Sequence, residues 1–219
     1  MALGAILIVT AIGMVELASL KGLYKIDRVE CGIALGVTVA ILLAGVVPGI
    51  ILGLLLSLTT VLVEVSRPRD AVLRRLRSDG KFHDCLEDEE AESVPGVLVY
   101  RLYAPLIFAN ARHVVNRLRA LVDEAEPPVK WLVIDAQAIH DMDVTAAQRF
   151  VELHRELVAR GVDVKIADAP RPFREELAKV GLSEEIGGAD FYVSVKQATQ
   201  AFEREVVSSD EESGVAPQA

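Results

Sequence analysis

Apolar residues are concentrated in the first third of the chain, and the remainder is mixed. Residues 1–15 contain no charged side chain, and Cys31–Val63 is an uncharged run of 33 residues. A helix crosses a bilayer with about 20 apolar residues, so the second run is too long for one simple span. Pro48-Gly49, near its middle, would kink or end a helix. We therefore predict a membrane hairpin of two helices, 32–47 and 49–63, with one long kinked helix as the alternative.

Small residues within the long run favour close helix packing, because they let two membrane helices approach. These residues are Gly32, Gly36, Gly45, Gly49 and Gly53. The first run is predicted as a further membrane helix ending near Leu20, since it lacks the basic start of a signal peptide. Because an apolar run at the very start is unusual for a complete membrane protein, we expect that a segment upstream of Met1 is missing.

Basic residues flank the long run on both sides. Three precede it and six follow it: Lys21, Lys25 and Arg28, then Arg67, Arg69, Arg74, Arg75, Arg77 and Lys81. Lys and Arg mark the cytoplasmic ends of membrane helices, and both clusters share one side only if the run is a hairpin. The second cluster suits anionic lipid headgroups. Acidic residues dominate 82–93, so 67–93 is interpreted as a basic, then acidic, cytoplasmic linker.

Strand and helix patterns alternate from residue 94 to residue 206. The predicted strands are 97–103, 105–109, 129–135, 162–167 and 191–193, and the predicted helices are one capped by Asn110, then 144–160, 171–180 and 194–206. This order predicts a small α/β domain over 94–206, with a mixed sheet and packed helices. The fold class is therefore a membrane α-helical segment of about three helices over 1–66, followed by that domain. The polar residues 207–219 are predicted to form a disordered tail.

Composition narrows the function classes. The chain is 52% hydrophobic with a mean hydropathy of +0.35, which exceeds the usual range of soluble domains. A net charge of −9 and an aromatic content of 5% argue against nucleic acid as a partner. Cys31 and Cys85 lie in different surroundings, so neither a disulfide framework nor a cysteine metal site is expected. The four histidines are expected at the surface or at helix caps, and the sequence predicts no enzyme activity, cofactor or metal.

The loop that precedes the helix at 144 carries the candidate chemistry. Asp141-x-Asp143-x-Thr145 has the spacing of haloacid-dehalogenase phosphatases, in which two carboxylates share magnesium and the first attacks phosphorus. Those enzymes place the first Asp directly at a strand end, whereas the strand here ends six residues earlier, at Asp135. The favoured interpretation is that Asp143 or Thr145 caps the helix. A hydroxyl in the first helical turn also lies where the helix dipole favours an anion.

Two blocks resemble the cytoplasmic STAS domain of SulP (SLC26-like) anion transporters: 95–111, with its Pro-Gly, Tyr-Arg and Phe-Ala-Asn, and 133–146, with Val-Ile-Asp-Ala and Asp-Val-Thr-Ala. Ser66-Arg67-Pro68 resembles the exit from the last membrane helix. The resemblance implies the C-terminal part of a secondary transporter with sulfate as the anion. Such transporters have about fourteen membrane helices in two inverted repeats, so this part is not expected to transport alone.

The resemblance also implies a regulatory site. The related anti-sigma-factor antagonists are phosphorylated on the hydroxyl of Asp-x-[Ser/Thr]-[Ala/Gly], which here is Asp143, Thr145 and Ala146. The alternative function is a membrane-tethered STAS interaction module of that type. Expected partners are membrane lipid, the missing transporter helices or a full-length transporter chain, a cytoplasmic protein and a second copy. The expected location is the cell membrane, multi-pass, with the STAS domain cytoplasmic.

Overall fold

The computed structural model describes residues 24–25, 28–77, 80–84, 91–181 and 190–212. The chain divides into two compact units, 1–64 and 65–219, which are described separately. Several sequence predictions lie outside the described part of the chain. They concern the helix up to Leu20, residues 85–90 of the acidic stretch, which include Cys85, and the last residues 213–219.

The first unit contains a helical hairpin. Helix α1 (Arg28–Ala44) and helix α2 (Val46–Ser66) are separated by Gly45, whose φ of 95° favours glycine. The chain therefore reverses at Gly45 and not at Pro48-Gly49, where the sequence predicts the turn. Pro48 is the third residue of α2, in the first turn, where a helix leaves backbone N–H groups without an intrahelical partner, so the proline is tolerated. Among the described helices, α2 is the one long and apolar enough to cross a membrane.

The two helices touch through two of the five glycines. A Cβ on Gly49 would lie 3.0 Å from the Cα of Ile41 and closer still to its side chain. A Cβ on Gly53 would lie 3.2 Å from Cγ2 of Val37. The earlier glycine of α2 thus meets the later residue of α1, and the later glycine meets the earlier residue. This order shows that the two helices are antiparallel. A Cβ on Gly36 would meet nothing within 4 Å, so that glycine lies outside this contact.

The second unit is an α/β domain. Its strands are β1 (Asp70–Val72), β2 (Arg74–Leu76), β3 (Phe82–His83), β4 (Ala91–Glu92), β5 (Val97–Leu102), β6 (Trp131–Asp135), β7 (Asp163–Ala167) and β8 (Phe191–Tyr192). Its helices are α3 (Phe108–Glu124), α4 (Val144–Ala159), α5 (Arg171–Lys179) and α6 (Val195–Glu212). The main sheet has the order β1-β5-β6-β7-β8, with β1 antiparallel and the other pairs parallel. The predicted fold class, a helical membrane segment followed by a mixed sheet with packed helices, is confirmed.

Strand β6 is buried at all five positions, as a strand covered on both faces should be. Leu132 and Ile134 belong to a core that includes the apolar faces of α3, α4 and α5. Trp131 and Val133 lie on the other face with residues of α6, where the Phe202 ring packs at a tilt of 60° with its centroid 5.4 Å from that of Trp131. The domain thus has three layers, with helices on both sides of the sheet.

The segment 67–93, expected as a linker, contains four short strands in its described residues. Strand β1 joins the main sheet, with Asp70 opposite Leu102, while β2, β3 and β4 form a small sheet of their own. Two- and three-residue strands are too short to show an apolar alternation, so the sequence pattern could not reveal them.

Two further differences in secondary structure and one in burial separate the structure from the sequence prediction. The segment 105–109 forms no strand, because Leu106 makes a single bridge to Met142 and α3 begins at Phe108. Helix α6 continues to Glu212, so 207–212 are helical where a disordered tail was expected. His154 is buried on α4 and not at the surface.

We expect Gly49→Ala to separate the hairpin, because the added methyl group would overlap Ile41. The measurement is the distance between spin labels on Leu35→Cys and Leu55→Cys, both exposed, with the native cysteines replaced by serine. Gly49→Ala should lengthen and broaden this distance. Gly36→Ala is the matched control and should leave the distance unchanged, because a Cβ on Gly36 meets nothing within 4 Å. It should not disrupt α1 either, since alanine favours a helix by about 1 kcal/mol over glycine. Equal behaviour of the two variants would show that the glycine contact does not hold the hairpin.

Candidate regulatory site

Asp143 lies between the first turns of two helices. Its Oδ1 accepts a hydrogen bond from the Ala146 N–H (2.8 Å), which caps α4. Its Oδ2 accepts one from the N–H of Phe108 (2.6 Å), the first residue of α3. One carboxylate thereby satisfies backbone donors at two helix N-termini, where the helix dipoles favour negative charge. The sequence left the cap open between Asp143 and Thr145, and the geometry assigns it to Asp143.

Two loops bring these helix starts together. The Leu106 N–H donates to the Asp141 carbonyl (3.0 Å), and the Asp143 N–H donates to the Leu106 carbonyl (3.3 Å). The buried Asn110 side chain braces the first loop, since its Oδ1 accepts from the Ile107 N–H and its Nδ2 donates to the Pro105 carbonyl, both at 2.9 Å. Asn110 is the third residue of α3. The sequence predicted that Asn110 caps this helix, and that prediction is wrong.

Thr145 is the exposed member of the predicted site. It is the second residue of α4, and its hydroxyl makes no hydrogen bond to the residues that the structure describes. Ala146 beside it is buried in the core. Phe108 and Val144, which are 65% and 53% exposed, belong to the same pair of helix starts. We call Phe108, Val144 and Thr145 the two-helix patch: an accessible hydroxyl together with two exposed apolar side chains.

The phosphatase alternative finds no support in this geometry. Oδ1 of Asp141 accepts a hydrogen bond from the Met142 N–H (3.0 Å), and both oxygens of Asp143 serve the two helix caps. A magnesium site would need several free carboxylate oxygens. Within the described ranges, no group of three or more His, Cys, Asp or Glu side chains could hold a metal ion.

A second polar cluster, which the sequence analysis missed, lies at the carboxyl ends of β5, β6 and β7. The buried Asp135 accepts a hydrogen bond from Nε of Arg101 (2.9 Å) and one from the Gln137 N–H (3.0 Å). Asp168 follows β7 with a φ of 53°, and its Oδ2 accepts from the N–H of Val195, the first residue of α6 (3.3 Å). The sequence did contain a signal for this cluster, namely that these polar residues stand at or near the ends of predicted strands. Polar residues that end neighbouring parallel strands meet at one edge of the sheet.

The electrostatics of this cluster are unfavourable to a second negative charge. Loss of solvent at Asp168, together with the nearby Asp135 carboxylate, raises the pKa of Asp168, although the Val195 N–H and Arg101 act in the opposite direction. Asp168 nevertheless supports the start of α6 from outside the helix, whose own cap is Ser194, since the Gln197 N–H donates to the Ser194 Oγ (3.2 Å). Both carboxylates are therefore explained by helix starts that lie at the carboxyl end of the sheet.

A family model matches this part of the chain. The model of the STAS domain covers residues 89–198, half of the sequence, and includes both polar clusters. The chain belongs to the STAS domain family. The resemblance found in the blocks 95–111 and 133–146 is thereby confirmed.

Curated relatives extend the match beyond the STAS domain. Probable sulfate transporter Rv1739c of Mycobacterium tuberculosis is 34% identical over 203 residues, which is 93% of this chain and 36% of the relative. High affinity sulfate transporter 2 of Stylosanthes hamata is 26% identical and is matched over 91% of this chain and 31% of its own length. The chain thus spans about a third of these transporters, which is consistent with a C-terminal portion.

A solved structure shows the same fold. The murine Solute Carrier 26 family member A9 anion transporter, in its inward-facing state, superposes with a TM-score of 0.73. The match covers 86% of this chain and 31% of that transporter, at 15% identity. At this identity the likeness is one of fold, and it includes helices outside the STAS family match.

We expect Asp143→Ala to destabilise the STAS domain by about 2 kcal/mol, because it removes two caps worth about 1 kcal/mol each. Thr145→Ala should cost less than about 0.5 kcal/mol, as for an exposed side chain without partners. Urea unfolding of the full chain in detergent, followed by the fluorescence of Trp131, the single buried tryptophan, measures both. Asp143→Asn should lie between them, since it keeps one acceptor oxygen. An equal loss of stability for Thr145→Ala would show that Thr145, and not Asp143, caps α4.

We expect Asp168→Asn to stabilise the STAS domain at pH 7. Because the folded-state pKa of Asp168 is raised, wild-type stability falls as pH rises from the usual aspartate pKa through that folded value. Asparagine tolerates the positive φ and can still accept from Val195, yet it carries no charge. The gain, measured by the same Trp131 unfolding assay, should therefore disappear below about pH 4. If Asp168→Asn instead lowers the stability equally at pH 7 and below pH 4, the hydrogen bond from Val195 to the carboxylate contributes more than the unfavourable ionisation of Asp168.

Proposed function

We propose that this chain is the C-terminal part of a SulP-type secondary anion transporter, with sulfate as the anion and the STAS domain in a regulatory role. The observation that supports this is the joining, in one chain, of a helical hairpin, whose helix α2 is long and apolar enough to cross a membrane, to a STAS domain. The sulfate transporters named above match this chain over both parts, since they cover 91–93% of it.

The chain is proposed to lack transport activity alone. Alternating access needs two structural repeats that move against each other around a site near the middle of the membrane. The described membrane part supplies one hairpin, and the relatives are about three times as long as the matched region. The partners required are therefore the remaining membrane helices or a full-length transporter chain.

The location follows from the same proposal. The chain would be a multi-pass protein of the cell membrane, with the STAS domain in the cytoplasm. Arg67 and Arg69 directly follow α2, and basic residues at a helix end favour the cytoplasmic side. The relatives are named as transporters, and we propose no catalytic residues for this chain.

Regulation is proposed to act at Asp143, Thr145 and Ala146. Asp143 fixes the two helix starts, Ala146 packs in the core, and Thr145 is exposed in the first turn of α4, as Val144 is, while Phe108 is exposed in the first turn of α3. A phosphate on Thr145 would add a charge of roughly −1.5 to −2 in the first turn of α4, which the helix dipole favours. It would change the surface that a cytoplasmic partner or a second copy contacts without removing a cap.

The second candidate function is a membrane-tethered STAS interaction module of the anti-sigma-factor-antagonist type. The observation that favours it is the accessibility of Thr145 at the motif position that carries the phosphorylated hydroxyl in those proteins. In that case partner binding would depend on Thr145, but no anion transport would depend on this chain.

We expect the purified chain, reconstituted into liposomes, to take up no sulfate above protein-free vesicles, because the second repeat is missing. A chimaera in which this chain replaces the matching part of the Mycobacterium tuberculosis relative should take up sulfate, with the parent relative as the positive control. Uptake of radiolabelled sulfate is the measurement. Saturable uptake by the chain alone would contradict the proposal.

The regulatory part of the same test uses the chimaera. Thr145→Glu should change its uptake rate, while Gln148→Glu, also exposed on α4 and one turn further along, should not. Identical rates for both variants would remove the regulatory role of Thr145. A chimaera that never transports, but binds a partner in a Thr145-dependent way, would favour the tethered module.

A further inference from the structure

The length of α2 places two arginines at the membrane boundary. Its 21 residues span roughly 31 Å, close to the hydrocarbon thickness of about 30 Å. Arg67 is the first residue after the helix, and Arg69 follows within roughly 10 Å of chain. If α2 spans the bilayer, as the proposed function requires, both guanidinium groups have the reach to enter the headgroup layer.

The structure divides the basic stretch 67–81 into paired and unpaired cations. Arg75 forms an ion pair with Glu203 (2.7 Å), and Arg77 forms one with Glu92. Arg67 and Arg69 are exposed and have no carboxylate partner among the described residues. The two arginines nearest the helix end are therefore available to an external anion, whereas at Arg75 and Arg77 an anion would compete with a glutamate.

Strand β1 leads the rest of the stretch away from Arg69. Asp70 pairs with Leu102, Val72 pairs with Tyr100, and the chain continues along β5 in that direction. Arg74 is exposed as well, but it lies five residues beyond Arg69, roughly 16 Å along an extended chain. An anion bound at Arg67 and Arg69 would therefore not include Arg74.

Neighbouring groups hold Arg69 in place and limit the opposing charge. The Tyr103 N–H donates to the Arg69 carbonyl (3.0 Å), which ties this residue to the edge of the sheet. Asp70 is engaged by Nε of Arg117 at 3.2 Å. Glu64, in the last turn of α2, adds one negative charge, so the two arginines still outnumber the free carboxylate.

We propose that Arg67 and Arg69 form a binding site for the phosphate groups of anionic phospholipids at the cytoplasmic end of α2. Guanidinium groups bind phosphate oxygens through two parallel hydrogen bonds, and a phospholipid supplies that phosphate at the depth the arginines reach.

The test measures binding of phosphatidylglycerol to the full chain in a non-ionic detergent at low ionic strength, by native mass spectrometry. Each arginine near an anionic surface raises the binding affinity about five-fold. The double variant Arg67→Gln with Arg69→Gln should therefore weaken phosphatidylglycerol binding about 20- to 30-fold. Binding of zwitterionic phosphatidylcholine should not change. The matched control, Lys130→Gln with Arg204→Gln, removes the same charge from two other exposed positions and should bind phosphatidylglycerol like wild type.

Unchanged phosphatidylglycerol binding by the Arg67/Arg69 variant would overturn the proposal, and so would an equal loss in the control variant. Displacement of the lipid by an equal concentration of inorganic phosphate would also overturn it, since the site would then be one for free phosphate. Flotation with phosphatidylcholine vesicles separates this from the proposed function. A wild-type chain that does not float contradicts the membrane segment, whereas a variant that floats but has lost its lipid preference supports the proposal.

Discussion

The central strand of the sheet has no solvent-facing side, and the STAS domain is organised around this constraint. All five residues of β6 are buried, so apolar cover is needed on both faces. Parallel strands can be joined only by crossovers, which here are the helices between β5, β6 and β7. Each crossover starts its helix beyond the carboxyl end of a strand. The helix starts, and the polar residues that cap them, are therefore gathered at one edge of the sheet.

That gathering explains why two carboxylates, Asp143 in the candidate site and Asp168 in the second polar cluster, accept hydrogen bonds from helix starts. Asp143 accepts hydrogen bonds from two helices, and Asp168 accepts one from a third. Caps of this kind hold the first turn of a helix rigid, because orphan N–H groups are satisfied by a fixed partner. Thr145 benefits from this rigidity without contributing to it. Its exposed hydroxyl therefore lies on a first turn whose backbone is held by Asp143.

The hairpin shows which membrane features a linear pattern can predict. The length of the uncharged run and the basic residues on both sides were sufficient to predict two antiparallel helices. The position of the turn was not predictable, because a proline in the first turn of a helix is harmless and only the backbone angle of Gly45 marks the reversal. Likewise, five glycines suggested close packing, but which ones face the other helix depends on how the two helices cross. Gly49 and Gly53 do so in this structure.

The sequence by itself determined the α/β class of the domain, the alternation of β5–β8 with α3–α6, and the motif at Asp143, Thr145 and Ala146, because these depend on local periodicity and composition. Tertiary structure decided the rest. It assigned the cap to Asp143, added β1 to the sheet, and brought Arg101, Asp135 and Asp168 together from three strands. It also paired Arg75 and Arg77 with glutamates and left Arg67 and Arg69 open. These outcomes depend on contacts between residues far apart in the chain, which no local pattern encodes.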